Sequence, residues 1–120
     1  MGRDIWYGLD GRPINVAEAS RLLRTPDAIW VAKTFLTTDR GRVEVSTVFL
    51  VVDHNWSGEG PPVLWESMTF GGPADGAQRR YTSRDAAVVG HAEQVAQCRA
   101  ALEAEGVRVL SVDHRGAGAG

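Results

Sequence analysis

Two histidines and a glutamate are the residues of this chain whose types and predicted positions could support chemistry together. Strand alternation places His54 and Glu66 on one face of a predicted sheet. Helical spacing places His91 on the side of a predicted helix that should pack against that face. Because imidazole and carboxylate groups are zinc ligands, the three residues could hold a catalytic metal with one position open for water. They could equally form an acid–base set in which Glu66 orients one histidine.

A structural role is the competing interpretation of the same three residues, and we favour it. A histidine on an apolar helix face is usually a hydrogen-bonded core residue, and a strand glutamate is often bonded to a nearby amide. In that case one histidine should bond Glu66 or a backbone carbonyl directly. Simple exposure at a sheet edge is a third possibility. The dipeptide Asp53-His54 recurs as Asp113-His114, but two residues recur easily by chance.

Sequence motifs of known enzymes are missing from the chain. There is no HExxH motif, no nucleophile-elbow serine or cysteine and no phosphate-binding loop. The single cysteine, Cys98, cannot form an internal disulfide and lies among alanines on a predicted helix, where a small core residue is expected. We therefore predict no cofactor, and the absence of these motifs argues against an enzyme.

Aromatic and basic residues supply the candidates for binding. Trp56 lies near the tip of a glycine- and proline-rich loop, where a large aromatic side chain can anchor a partner. We expect it instead to fold back onto the sheet edge. Arg80 and Tyr81 belong to the densest basic stretch of the chain. The full set of candidate binding residues is Trp56, Trp65, Asp53, Arg80 and Tyr81.

The hydrophobic pattern predicts an α+β fold, with a mostly antiparallel β-sheet of four or more strands packed against one long helix, and with a short N-terminal hairpin and helix. Asn15 is placed to cap the first helix and Pro26 to end it. The predicted elements are a hairpin around 10–11, a helix over 16–24, strands over 29–37, 42–53, 63–70 and 79–82, a helix over 83–105 and a strand over 107–112.

Alternation along the strands predicts two partly apolar sheet faces. The first carries Val48, Leu50, Val52, Leu64, Met68 and Phe70. The second carries Val43, Val45, Phe49, Val51, Trp65, Trp30 and Leu36. The long helix covers one face, and the N-terminal elements shield only part of the other. We therefore expect a homo-oligomer that buries either an edge strand or the face with Trp30, Phe49, Val51 and Trp65, removing about 1,200 Å² of surface or more.

Composition indicates one folded domain. The chain has 120 residues, of which 43% are hydrophobic and 23% are charged, as in ordinary globular proteins. We predict a single domain over 1–115 and a flexible Gly/Ala tail over 116–120. No apolar run has the length of a membrane span, and no signal peptide is recognised, so we expect no membrane partner and a cytoplasmic location. The net charge of −2 disfavours general nucleic-acid binding.

Several motifs in fixed order carry a family resemblance. They are the stretches 45–50, 53–54, 60–72, 80–82 and 90–91, which read VSTVFL, DH, GPPVLWESMTFGG, RYT and GH. The sequence resembles a group of small proteins encoded by actinobacteria and their phages, whose members read STVWL-x-x-DH, GPPL-x-FETMVFGG and RYxT-x-EEA-x-x-GH. This chain departs from them at Trp65 (usually Phe), at Ser67 (usually Thr) and in its longer C-terminal end.

The resemblance implies a phage or prophage setting and supplies no activity. It places Asp53, His54, Glu66 and His91 within recurring motifs. Our leading hypothesis is a non-enzymatic phage-type accessory protein that binds a host or phage protein, as in counter-defence, or a small ligand. The alternatives are a small metal-dependent hydrolase using His54, Glu66 and His91, and a virion or assembly component.

Overall fold

The computed structural model describes residues 4–116 and has a five-stranded sheet with one long helix on it. The strand order is β4-β3-β2-β1-β5, and every neighbouring pair is antiparallel. The predicted α+β fold is therefore confirmed. The elements in chain order are α1 (Val16–Leu23), α2 (Pro26–Ile29), β1 (Trp30–Thr38), β2 (Gly41–Phe49), β3 (Trp65–Phe70), β4 (Gln78–Tyr81), α3 (Arg84–Ala104) and β5 (Val109–Gly116).

Local capping residues set the helix ends, and Asn15 caps the first helix as predicted. The Asn15 side chain accepts a hydrogen bond from the Glu18 N–H at the start of α1, and Ser83 accepts one from the Ala86 N–H at the start of α3. Gly106 follows α3 with a φ of 73°, the left-handed conformation that favours glycine after a helix. α1 ends at Leu23, before Pro26, in agreement with the prediction. Pro26 is itself the first residue of α2, where its missing N–H costs no helical hydrogen bond.

Two strand boundaries differ from the prediction. β2 ends at Phe49 and not at Asp53, because Val51 has a φ of 69°, which interrupts the extended backbone. β5 continues past the predicted end at 112 through Gly116, and its whole length pairs with β1. The remainder of the predicted Gly/Ala tail, residues 117–120, lies outside the described residues.

The helix α3 and the N-terminal segment pack on the same face of the sheet. One core cluster joins Tyr7 and Ala19 to Phe49 and Trp65, and a second joins Leu36, Val43 and Val45 to the C-terminal half of α3. We call this side the covered face. The opposite side, which carries Phe35, Met68 and Phe70 in the strand register, is the open face; no element within residues 4–116 packs over it.

The first of the two predicted self-association surfaces, the face with Trp30, Phe49, Val51 and Trp65, was therefore wrong, and the alternative of an edge strand stays a prediction. Phe49, Val51 and Trp65 are each no more than 6% exposed, because the chain itself covers them. Trp30 is only partly buried, and it lines a pocket together with Phe49 and Trp65. Self-association itself stays a prediction, for which the open face and the edge strand β5 are the remaining candidate surfaces.

Close contact between α3 and β4 depends on one glycine. A Cβ added at Gly90 would overlap the ring and hydroxyl of Tyr81. The absence of a side chain therefore lets α3 approach the sheet closely enough to bury both Tyr81 and His91. None of the helices in residues 4–116 combines the length and the apolar character that crossing a membrane requires.

Candidate functional site

The three residues predicted to converge lie apart. His91 points from α3 into the covered face, whereas Glu66 alternates onto the open face, where its register partners are Val48 and Arg80. His54 lies beyond the end of β2. The prediction that His54, Glu66 and His91 meet was wrong, because it placed the helix on the other face of the sheet. Within residues 4–116 no three histidine, cysteine or acidic side chains are grouped closely enough to hold a metal ion.

Both residues outside the covered face have local hydrogen-bond partners. Glu66 forms an ion pair with Arg80 at 3.0 Å and also accepts a hydrogen bond from the Gln78 amide. The His54 Nδ1–H donates to the Val52 carbonyl at 2.8 Å. His54 thus bonds a backbone carbonyl directly, although the cluster for which such a bond was expected does not form.

His91 is the centre of a hydrogen-bonded chain that crosses the covered face. Its Nδ1 lies 2.6 Å from Thr47 Oγ1, and its Nε2 lies 2.8 Å from Thr34 Oγ1. On one side the chain continues from Thr47 to Ser67 Oγ at 2.5 Å, and the Tyr81 hydroxyl donates to Ser67 at 3.0 Å. On the other side Thr34 Oγ1 lies 2.6 Å from His114 Nδ1. We call these six side chains the hydroxyl–histidine chain; it links all five strands through α3.

Burial fixes the charge state of His91. The side chain is 2% exposed, and desolvation, together with repulsion from His114, lowers its pKa to about 4. His91 is therefore neutral near pH 7, with one nitrogen donating and the other accepting. With both nitrogens bonded to threonine hydroxyls and almost no exposure, this imidazole serves to satisfy buried hydroxyls and has no access to a substrate.

Sequence reasoning missed four members of this chain, namely Thr34, Thr47, Ser67 and His114. A signal existed, because Thr34 and Thr47 alternate with aliphatic residues on strands whose covered face is otherwise apolar. His114 was missed for a different reason. The predicted final strand ended at 112, so the Asp113-His114 dipeptide had no assigned position beside Thr34.

Cys98 is the small core residue that was expected. It is 1% exposed in the cluster formed with Leu36 and Leu102, and burial raises its pKa. The thiol therefore stays protonated, which removes the nucleophilic thiolate form.

The predicted binding residues divide between the core and the surface. Trp65 and Tyr81 are buried, and the Tyr81 hydroxyl is used in the hydroxyl–histidine chain. Arg80 lies on the open face and is paired with Glu66. Trp65 and Tyr81 are register partners in the core, whereas Trp56 and Asp53 line a surface pocket of about 300 Å³ beside the exposed Ile5.

Trp56 does not fold back onto the sheet, contrary to our expectation. It is 74% exposed, and its ring contacts that of His54 at a centroid distance of 5.3 Å. At 74%, Trp56 is the most exposed of the large apolar side chains that the structure describes.

Side-chain hydrogen bonds hold the loop that carries Trp56. The carboxylate of Asp53 is 5% exposed, and its Oδ1 accepts from the backbone N–H groups of Asn55 and Val63 at 2.8 and 2.9 Å. The Asn55 amide donates to the carbonyls of Glu59 and Pro61, at 2.6 and 2.9 Å. Both ends of the loop are thereby fixed, so Trp56 is presented from an ordered backbone.

The chain matches no protein-family model, and it has no significant match among curated proteins or solved structures.

Proposed function

We propose that this chain is a non-enzymatic accessory protein that binds a protein partner, with Trp56 as the anchor of the interface. The observation that carries the proposal is the exposure of Trp56, 74%, on a loop whose backbone is held by Asp53 and Asn55. Tryptophan is among the residues that most often dominate binding energy at protein interfaces.

Preorganisation of the loop favours this use. Ordering a flexible loop on binding opposes affinity, whereas a loop that is already ordered avoids most of that cost. The hydrogen bonds of Asn55 span the loop from one side to the other, and the neighbouring pocket offers the apolar side chain of Ile5, which is 54% exposed, as additional contact area.

The use of the chemically capable side chains within the fold also supports binding over catalysis. His91 satisfies buried hydroxyls, Glu66 pairs with Arg80, and His54 bonds the Val52 carbonyl. None of these groups is left in the arrangement that the hydrolase hypothesis required.

The partner and the setting come from the family resemblance. A phage or prophage protein with a presented tryptophan would bind a host protein or another phage protein, in the cytoplasm of an actinobacterial cell. We also propose that the chain self-associates through its open face, where Phe70 is 51% exposed beside the partly buried Met68.

The proposal is tested by capture from an actinobacterial lysate with tagged wild-type protein, a Trp56→Ala variant and a Leu110→Ala control. Leu110 is also exposed, 55%, but lies on β5. We expect a captured protein to be retained by wild type and by the control and lost with Trp56→Ala. The purified partner should then bind Trp56→Ala at least about 30-fold more weakly, as expected for a hot-spot residue.

Two results would contradict the proposal. One is equal binding of the identified partner by wild type and Trp56→Ala. The other is a partner lost with the Leu110→Ala control. Capture of capsid or tail proteins through Trp56 would favour the virion or assembly role over an inhibitory one.

A further inference from the structure

β5 offers the longer of the two edges of the sheet. It is the last strand in the order β4-β3-β2-β1-β5 and has eight residues, whereas β4, at the other edge, has four. Within residues 4–116 only β1 pairs with β5, so its outer side faces no strand of this part of the chain. The backbone groups along such an edge are a template on which another strand can form hydrogen bonds.

Charged side chains are placed symmetrically along this edge. β5 pairs with β1 without interruption over residues 111–116, so successive side chains alternate between the two faces. His114 lies opposite Thr34 on the covered face, and Asp113 and Arg115 flank it on the open face. These two side chains are more than half exposed and form an ion pair with each other at 2.9 Å. An acid and a base therefore stand one residue to either side of His114, a pattern that a reversed copy of the strand complements.

That symmetry favours one register for two copies of β5. Because directly opposed side chains point to the same face, a two-fold axis that keeps both covered faces on one side of the joint sheet must pass through a residue of β5. An axis at Asp113 would oppose two carboxylates, which destabilises the pair. An axis at Val112 would oppose Asp113 to a serine and bring the register shift at Leu110 into the ladder. An axis at His114 opposes Asp113 of each copy to Arg115 of the other, and so forms two ion pairs between the strands.

We propose that β5 pairs with β5 of a second copy around an axis at His114, which joins the two five-stranded sheets into one continuous sheet. Residues 112–116 of each copy form the ladder. Val112, which is 43% exposed, then lies opposite the last residue of the neighbouring strand and loses part of its contact with water. Neither Trp56 nor Phe70 belongs to this interface, so it can fail without the proposals made for the Trp56 loop and the open face, and they can fail without it.

The dimer should be weak, because residues 112–116 make a short ladder. Such an interface removes less than about 1,200 Å² of surface, at the low end of specific interfaces, and we expect a Kd of about 0.1 mM. Sedimentation equilibrium of the full chain, from about 10 µM to about 1 mM, covers that value on both sides. The same series on Phe70→Ser removes association through the open face, so a dimer that persists in that variant uses another surface, which charge reversal then identifies.

Reversal of the two charges tests the register. Asp113→Arg gives both positions a positive charge, and Arg115→Asp gives both a negative one. In each variant alone like charges oppose each other, and self-association should weaken at least about tenfold. An equimolar mixture of the two variants opposes unlike charges and should form a mixed dimer at least as tight as that of wild type. The matched control reverses one member of another exposed ion pair, between Arg99 and Glu103 on α3, and Arg99→Asp should self-associate as wild type does.

Recovery in the mixture would also show that both variants are folded, since it contains the same two proteins. The proposal is overturned if Phe70→Ser is monomeric at about 1 mM, if either charge variant alone associates as strongly as wild type, or if the mixture does not recover the dimer. It is equally overturned if Arg99→Asp abolishes association, which would place the interface on α3.

Discussion

The covered face of the sheet carries the hydroxyls of Thr34, Thr47 and Ser67 at its centre, whereas the open face carries the rings of Phe35 and Phe70. The polar groups are fully buried and the aromatic ones partly or largely exposed. On each face, other side chains pair with or cover these groups. His91 satisfies the hydroxyls, and two arginines, Arg42 and Arg115, lie over Phe35 at 4.5 and 5.4 Å from its centroid.

The apolar content of a strand therefore does not decide which of its faces becomes the core. Both faces offer aliphatic and aromatic residues. The covered face is distinguished by hydroxyls that need a partner and by a helix that brings one, while long charged side chains shield the open face from water. Four experiments test how far this difference between the faces extends.

The largest effect is expected when the centre of the covered face is removed. His91→Ala leaves a cavity and strands the hydroxyls of Thr34 and Thr47, which together should lower the free energy of unfolding by about 4 kcal/mol. His54→Ala, which removes a half-buried histidine that bonds the Val52 carbonyl and contacts the Trp56 ring, is the control and should cost about 1 kcal/mol. Urea unfolding measures both. Equal losses of unfolding free energy in the two variants would show that His91 is no more important to stability than His54.

Acid should weaken the covered face through the same residue. The folded-state pKa of His91 is about 4, below its ordinary value of 6.5, so between these values the unfolded chain binds the extra proton first. The free energy of unfolding should therefore rise with pH from about 4 to 6.5, by about 3 kcal/mol in total from this group. Below a pH of about 4 this contribution of His91 to the free energy of unfolding is fully lost, and above a pH of about 6.5 it is fully present.

The measurement is denaturant unfolding across this pH range, with His91→Gln as the comparison. The other titratable side chains of the hydroxyl–histidine chain are His114 on β5 and Tyr81 on β4. His91→Gln keeps a hydrogen-bonding side chain but cannot titrate, so the slope should become shallower. An unchanged slope would show that His91 does not carry the pH dependence.

Filling the contact between α3 and β4 should have a somewhat smaller effect. In Gly90→Ala the new methyl group overlaps the Tyr81 ring, so α3 must move away from the sheet at a cost of about 2–3 kcal/mol. The matched control is Val89→Ala on the neighbouring exposed position, which should change stability by less than about 0.5 kcal/mol. A stable Gly90→Ala protein would mean that the close approach is not required.

The smallest effect on stability is expected on the open face. Phe70→Ser removes an aromatic ring that is 51% exposed and should change the free energy of unfolding by no more than about 0.5 kcal/mol. If the open face mediates self-association, light scattering should find wild type as a dimer or larger and Phe70→Ser shifted toward the monomer. Monomeric wild-type protein at micromolar concentration would exclude that role.

Local patterns predicted most of the fold. The capping side chain of Asn15 and the two-residue alternation of the strands each depend on neighbours along the chain, so the elements could be derived from sequence. Alternation also placed Glu66 and Val48 correctly on one face. The boundary at Phe49 was missed because the left-handed backbone of Val51, a β-branched residue, has no local sequence signal.

The site could not be predicted because it depends on which face the helix covers. The apolar side of α3 was recognised, and His91 on it, but both sheet faces were suitable partners for that side. Choosing the face with Glu66 produced a cluster that does not exist. Predicting the role of His114 also requires the order of the strands in the sheet, since its position beside Thr34 follows only from the pairing of β5 with β1 at the sheet edge.

The hydroxyl–histidine chain has a direction, and that direction ties together two imidazoles far apart in the sequence. Each hydroxyl carries a single hydrogen. Since Tyr81 donates to Ser67, the Ser67 hydrogen has an acceptor within residues 4–116 only if it is donated onward to Thr47. Thr47 then donates to Nδ1 of His91, Nε2–H donates to Thr34, and Thr34 donates to Nδ1 of His114. A phenol on one edge strand thus selects the tautomer of a histidine on the opposite edge strand.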